Sequence, residues 1–512
     1  MNRYKKANEG IHAPEESKER AARPAGRPSR ARWMGAAAAM LAVVILAGVA
    51  LWPRQSDDPS PMSLDGPGVP SGRGFDPVLI PTPDVRSHAL ALAVYPEMSP
   101  YPREEDYISP AGNFDFDKYD RDLSAWLVSR AALSSGMNYA GLLDDFLISS
   151  TAQFLTNAGM ENRVYSPLNV YLALSMLAET TGGNSREQLL DLLGADTIEA
   201  LRERAYTLWR DHYRDDGMVT SLLANSLWLR DGMTYSQDAL DTLASDYYAS
   251  SFSGEMGSEE YNQALRDWLN EQTGGLLRQQ ADGLSMDPDT VLALASTVYF
   301  KAGWAEEFSP ERTQRDVFHA PGGDAETDFM RRSMEGTYYW GEHFSAVQLY
   351  FAQGGSMWLI LPDEGTGPDD LLASGEAMGF LLADKYDYAG SKYLTVNLSM
   401  PKFDVSSDLG LIEGLKALGV TDVFDGRVSN FEPLGASTDE ALYVSQARHA
   451  ARVKVDEEGC EAAAYTVIMT EPTSEAPPAD EVDFILDRPF LFAVTGDSGL
   501  PLFTGVVNQP NV

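Results

Sequence analysis

Few residues in this chain are arranged to do chemistry of their own. The sharpest candidate is Gly496-Asp497-Ser498-Gly499, a setting in which a serine could act as an acyl-transfer nucleophile. Such a serine needs a histidine base and an orienting carboxylate. Only six histidines occur in 512 residues, and none sits in an Ala-Ala-His-Cys run. Leu500 stands where a further glycine would complete the motif, and too little chain follows Leu502 to build the rest of such an enzyme. Flanked by FLFAV and LFTGVV, the segment reads as a tight hairpin turn. No G-x-S-x-G elbow, H-E-x-x-H pair or P-loop occurs elsewhere. The chain is therefore expected to carry no catalytic residues, no metal and no cofactor.

The stretch on which chemistry could be done is Val455–Val482. From Cys460 to Met469 every residue except Glu461 is small, β-branched, aromatic or sulfur-bearing. With period two, one face is Cys460, Ala462, Ala464, Thr466 and Ile468; the other is Glu461, Ala463, Tyr465, Val467 and Met469. The first face is uncharged, so the pattern predicts a half-buried strand, with Gly459 as a flexible joint at its root. Thr470–Asp480 then holds three prolines and three acids and reads as an exposed tip. A strand-competent stem thus leads into an exposed tip prone to proteolysis.

The decapeptide EEGCEAAAYT, Glu457–Thr466, is similar to the hinge of the reactive loop in serpins, with Glu457, Glu458, Gly459, Cys460, Glu461, Ala462, Ala463 and Ala464 as hinge residues. Further blocks resemble the same family in the same order. They are NRVYSPLNVYLALSMLAETTGGNSREQLLDLLG from Asn162, VLALASTVYFKAGWAEEF from Val291, SMWLILP from Ser356, LTVNLSMPKF from Leu394, GLIEGLKALGVTDVF from Gly410 and RPFLFAVTGDSGLPLFTGVV from Arg488. The likeness covers about Tyr139 to Val512. It implies an α+β, serpin-like fold: helices on large, mostly antiparallel sheets, with a reactive loop at about 460–483. It also implies irreversible inhibition of a serine protease by suicide cleavage, as a monomer. Counting as in family members places the reactive bond at Thr473–Ser474. The absence of Lys and Arg between Gly459 and Asp487 favours elastase-like or subtilisin-like partners. The alternative is a non-inhibitory serpin that binds or is consumed as a substrate.

His449 lies in an alternating strand just before the stem. In the family a histidine here joins a serine and an asparagine beneath the main sheet, where strands must part. Ser166 matches the family's serine, while Asn169 stands where serine is usual and Ser296 where asparagine is usual. The swap looks reciprocal, so a paired polar network with exchanged partners is expected. Trp304, the strand tryptophan of the family block, is grouped with these sheet-opening residues.

These residues need elements to hold them. Helical spacing marks Gly141–Asn157, Leu168–Glu179 (opened by Ser-Pro and ended at Gly182–Gly183), Ile198–Tyr213, Ser236–Ser245 and Asn262–Gln272. Asn184 or Ser185 is the expected cap of the helix after Gly183. Ser221–Gly232 reads as a strand, and the near-continuous apolar run Val291–Phe308 as a strand covered on both faces.

The remaining signals concern placement. A net charge of −37 argues against nucleic acid and heparin-like glycans as partners. One cysteine excludes a disulfide framework within the chain. Residues 1–34 carry nine Lys or Arg against four acids, a basic cytoplasmic tail. Gly35–Trp52 is eighteen residues without a charge, flanked by Trp33 and ending in Trp52, which suits a signal anchor. A cleaved signal peptide, leaving a secreted protein, is the competing reading, opposed by the long basic lead and the lack of an A-x-A site. Residues 53–85 form a Pro/Gly/Ser-rich spacer, and 86–138 an N-terminal extension to which no role is assigned. Together these features anticipate a bacterial member of the family, with residues 139–512 outside the cytoplasmic membrane.

Overall fold

The computed structural model describes residues 85–510, apart from 111, 282, 436–441, 461–477 and 479. The apolar run that begins at Val291 becomes strand β6 (Leu292–Gly303), in the middle of an eight-stranded sheet. Its side chains are buried along nearly the whole length, as a strand covered on both faces requires. The other members of that sheet are β1 (Ala89–Ala91), β3 (Arg214–Asp215), β4 (Val219–Arg230), β5 (Ala249–Gly254), β12 (Phe403–Gly410), β13 (Val444–Val455) and β14 (Gly459–Cys460). Their order is β1-β5-β4-β6-β14-β13-β12, with β3 paired to β4. β4 runs parallel to β5, and β6 parallel to β13; the remaining neighbours are antiparallel.

A second sheet contains β2 (Arg163–Tyr165), β7 (Gln314–Ala320), β8 (Gly323–Trp340), β9 (Phe344–Tyr350), β10 (Ser356–Pro362), β11 (Ser391–Pro401), β15 (Glu481–Ile485), β16 (Phe490–Thr495) and β17 (Pro501–Val507). Apart from the parallel pair β11–β15 it is antiparallel. β16 and β17 form the hairpin whose turn holds Gly496–Leu500.

The helices of eight residues or more among the described residues are α1 (Phe116–Leu133), α2 (Asp144–Leu155), α3 (Pro167–Glu179), α4 (Gly183–Leu193), α5 (Ile198–His212), α6 (Gln237–Asp246) and α7 (Glu259–Gln272). The architecture is α+β. α3 positions most of the site. Pro167 presets its first turn, Ser166 caps it by accepting from Asn169 N–H, and it is apolar nearly all round. A helix of that kind must be buried, and α3 packs against β4, β6 and β17. The cap expected at Asn184 or Ser185 is not used, because α4 starts earlier, from an extended Gly182. Ser185 Oγ instead accepts from Asn430 N–H at 3.0 Å, and Asn184 Nδ2 donates to Asp422 Oδ2 at 2.6 Å.

The compact unit runs from Thr82 to Val512, so the 86–138 segment belongs to it rather than preceding it. β1 adds a strand to the outer edge of β5. No helix among the described residues is long and apolar enough to cross a membrane, and Gly35–Trp52 lies outside them.

Candidate functional site

The stem starts inside the sheet. After Val455 the chain turns through Asp456–Glu458 and comes back as β14, lying between β6 and β13. Gly459 faces Gly303, and Cys460 faces Ala302 on one side and Val455 on the other. Gly459 is needed for close approach rather than as the flexible joint anticipated for it. A Cβ there would lie 2.3 Å from the Ala302 carbonyl oxygen and 2.8 Å from Gly303 Cα. Cys460 is buried. Below this point β6 and β13 pair directly, from Val444↔Leu292 to Ala450↔Thr297. The two strands are therefore joined at one end and parted at the other, with the first two stem residues in the gap.

The turn before β14 is held on every side. Trp304 N–H donates to Glu458 O at 3.0 Å, Trp304 Nε1 to Asp456 O at 2.9 Å, and Phe308 N–H to Glu457 O at 3.0 Å. Glu457 accepts from Thr313 Oγ1 at 2.8 Å and forms an ion pair with Lys402 at 2.7 Å. Burial pushes its pKa up, but the bonds from Lys402 and Thr313 outweigh it, leaving the carboxyl below its ordinary value. Trp304 stacks on Phe351 with centroids 5.0 Å apart. This corrects the grouping of Trp304 with His449. It stands eight positions along the chain from Ser296, roughly 26 Å in extended chain, and serves the hinge.

Ser166, Asn169, Ser296 and His449 do come together, at the joined end of β6 and β13. Ser166 N–H donates to His449 Nε2 at 3.0 Å, which leaves the neutral ring's proton on Nδ1, 3.3 Å from Ser296 Oγ. Asn169 Nδ2 donates to Ser296 Oγ at 2.7 Å and to Thr297 O at 2.8 Å. Asn225 on β4, a residue sequence reasoning missed, donates through Nδ2 to Asn169 Oδ1 at 3.0 Å. Its only signal was an amide in the middle of an apolar strand. The hydroxyl of Ser166 does not touch the histidine; it caps α3. The start of α3 thus grips β13 through His449, and β6 and β4 through Asn169. His449 is fully buried, and desolvation pulls its pKa down to about 3.

Glu461, Ala462, Ala463, Ala464, Thr473 and Ser474 lie outside the described residues. Glu458 contributes its carbonyl to Trp304, and its N–H donates to Asp456 Oδ1 at 3.1 Å. Ser498 sits in the β16–β17 turn as expected, yet it does meet a histidine. His212, the last residue of α5, places Nε2 2.6 Å from Ser498 Oγ, and its Nδ1 faces the Leu208 carbonyl at 2.7 Å. The ring's second partner is a backbone carbonyl, not a carboxylate. The pair fastens α5 to the hairpin turn. Burial lowers the His212 pKa.

Comparison with known proteins gives the same likeness. The family pattern described as "Serpin (serine protease inhibitor)" matches residues 142–510. Wheat Serpin-Z2B is 28% identical over 377 residues, 71% of this chain and 94% of its own. A rice protein called putative serpin-Z6C is 30% identical, covering 68% of this chain and 91% of its own. Among solved structures, a thermophilic serpin, tengpin, in its native state superposes with a TM-score of 0.65 at 27% identity, over 72% of this chain and 94% of that one. An Arabidopsis serpin in its native stressed conformation gives 0.63 at 27% identity, over 73% and 100%. The sequence relatives cited are plant proteins, which lend no support to the bacterial source anticipated above.

Proposed function

Because the chain belongs to the serpin family, whose members are generally protease inhibitors rather than enzymes, we propose that it is an irreversible suicide-substrate inhibitor of serine proteases. One observation supports the reading: Gly459–Cys460 already occupies the gap between β6 and β13 at the end where those strands have parted. The protease serine attacks the Thr473 carbonyl, the Thr473–Ser474 bond breaks, and Ser474 leaves as a new amino terminus. The stem, now tied to the sheet only through β14, continues inward as a full strand between β6 and β13. Each added residue converts free backbone groups into ladder hydrogen bonds, and the network at His449, Ser296 and Asn169 must separate to admit them. The acylated protease is carried along and its oxyanion hole distorted, so deacylation fails. The resting form is held kinetically.

A non-inhibitory serpin would be favoured by bulky, charged or proline residues on the inward face. Cys460, Ala462, Ala464, Thr466 and Ile468 stand there instead. Elastase-like or subtilisin-like enzymes suit a tip without Lys or Arg. We place the inhibitory domain outside the cytoplasm on the Gly35–Trp52 anchor. The deciding experiment incubates the protein with trypsin, an elastase and a subtilisin. A denaturant-stable complex with the elastase or subtilisin, and a released peptide starting at Ser474, is the expected result. Cleavage without any stable complex would favour the non-inhibitory reading.

A further inference from the structure

The family pattern begins at residue 142, yet the described chain before it is built into the molecule. The path starts on the free edge of the large sheet, where Ala89 faces Phe252 and Ala91 faces Ser251 of β5. The His88 ring packs against Tyr261 of α7, centroids 5.1 Å apart and planes tilted by 50°. Tyr95 stacks on Trp209 of α5 at 5.3 Å, and its hydroxyl donates to Gln272 Oε1 of α7 at 3.1 Å. Farther on, Tyr101 N–H donates to Asp216 O at 2.8 Å. Arg130 of α1 pairs with Asp497 in the β16–β17 turn, and Ser135 N–H donates to Asp211 of α5 at 2.6 Å.

The central contact falls on a buried ion pair. Asp216 has no exposed side-chain surface and sits in the turn between β3 and β4. Its carboxylate accepts from Arg214 Nε at 2.6 Å, Met218 N–H at 3.0 Å, Val219 N–H at 2.9 Å and Trp126 Nε1 of α1 at 2.9 Å. An unpaired charge there would be costly, so the indole both completes and covers the site. Val219 faces Ala302, and Ala302 faces Cys460. Trp126 therefore holds the outer end of the rung on which the hinge rests.

Admitting a new strand separates β4, β5, β6 and the α7 helix packed on them from β12 and β13. The latter pair packs on β2 and β17, so the second sheet goes with them. The extension is fixed to both bodies: to β5, α7 and the β3–β4 turn on one side, and to Asp497 of the second sheet on the other. We propose that residues 85–136 are a strap that restrains the sheet against opening, with Trp126 as its principal positioning residue, and that stem entry stretches or releases it. The proposal rests on the insertion mechanism proposed above.

The test follows uptake of a synthetic peptide of residues 460–470 by the full-length protein under native conditions, read by native-gel shift. No protease is involved. Trp126→Phe keeps an aromatic side chain but loses the N–H to Asp216 and part of the indole's bulk; uptake about tenfold faster is expected. Ala91→Cys with Ser251→Cys, oxidised to tie β1 to β5, should slow uptake about tenfold, and reduction should restore it. Uptake at the wild-type rate in both variants overturns the strap and leaves the insertion mechanism standing. No uptake by any form, wild type included, overturns both. Should Trp126→Phe fail to fold, oxidised and reduced rates of the cross-linked protein decide alone.

Discussion

Acid should weaken the joined end of β6 and β13 through a single side chain. His449 is buried without exposure, and burial brings its pKa to about 3, against 6.5 in an open chain. Protonation would place a charge in a fully buried site and remove the acceptor that Ser166 N–H uses. The folded pKa lies below the unfolded one, so between the two values the unfolded chain binds the extra proton. Stability from this group is then complete above pH 6.5 and declines as pH falls toward 3. Each pH unit in that window is worth about 1.4 kcal/mol, so moving from pH 7.5 to pH 5 should remove about 2 kcal/mol. His449→Gln keeps a neutral polar side chain and cannot titrate. Urea unfolding of both proteins at several values between pH 7.5 and 5 supplies the comparison, because carboxylates and His212 titrate equally in each. The stability gap between wild type and variant should narrow by about 2 kcal/mol toward pH 5. Parallel curves over that range would refute the reasoning. They would mean that the network relaxes enough to accept an imidazolium, by water entry or by ring displacement.

Three further outcomes are expected. Gly459→Ala should push β14 out of the sheet, since its Cβ would lie 2.3 Å from the Ala302 carbonyl oxygen, an overpacking cost of about 1–3 kcal/mol. The buried thiol of Cys460 reports it directly, by reacting with a thiol reagent at least about tenfold faster than in wild type. Glu457→Gln and Lys402→Met, measured singly and together, should show a coupling of about 1 kcal/mol by double-mutant cycle, modest because the lysine is part-exposed. Ala462→Arg or Ala464→Glu should turn an inhibitor into a substrate, raising the moles consumed per protease inactivated while the cleavage rate hardly changes. Ala463→Glu on the opposite face should be far milder, and equal damage from both faces would sink the period-two argument.

What was legible in the sequence is what short-range pattern encodes. Ser166-Pro167 marks the start of α3, the charge-free run of β6 marks a strand covered on both sides, and GDSG between two apolar runs marks a hairpin. The stem's alternation identifies which residues could face a core. Even the exchanged amide and hydroxyl at Asn169 and Ser296 could be read as partners through the family likeness. Local pattern names an element and its buried face, but it does not say which elements meet. Trp304 and Ser296 share one strand block, and only the pairing of β14 with the far end of β6 shows that they serve different junctions. Asn225 looks like an ordinary polar residue until β4 is laid beside β6. His212 and Ser498 are 286 positions apart, and a base cannot be assigned to a serine across that distance without the packing of α5 on the hairpin turn. The same holds for the 86–138 extension. Its mixed composition has no clear period, because its few anchoring residues (Tyr95, Tyr101, Trp126, Arg130) reach elements far apart in the chain: α5 and α7, the β3–β4 turn and the β16–β17 turn. The tertiary structure decided those contacts, since buried polar groups such as Asp216 are satisfied by whichever donor the fold brings within about 3 Å.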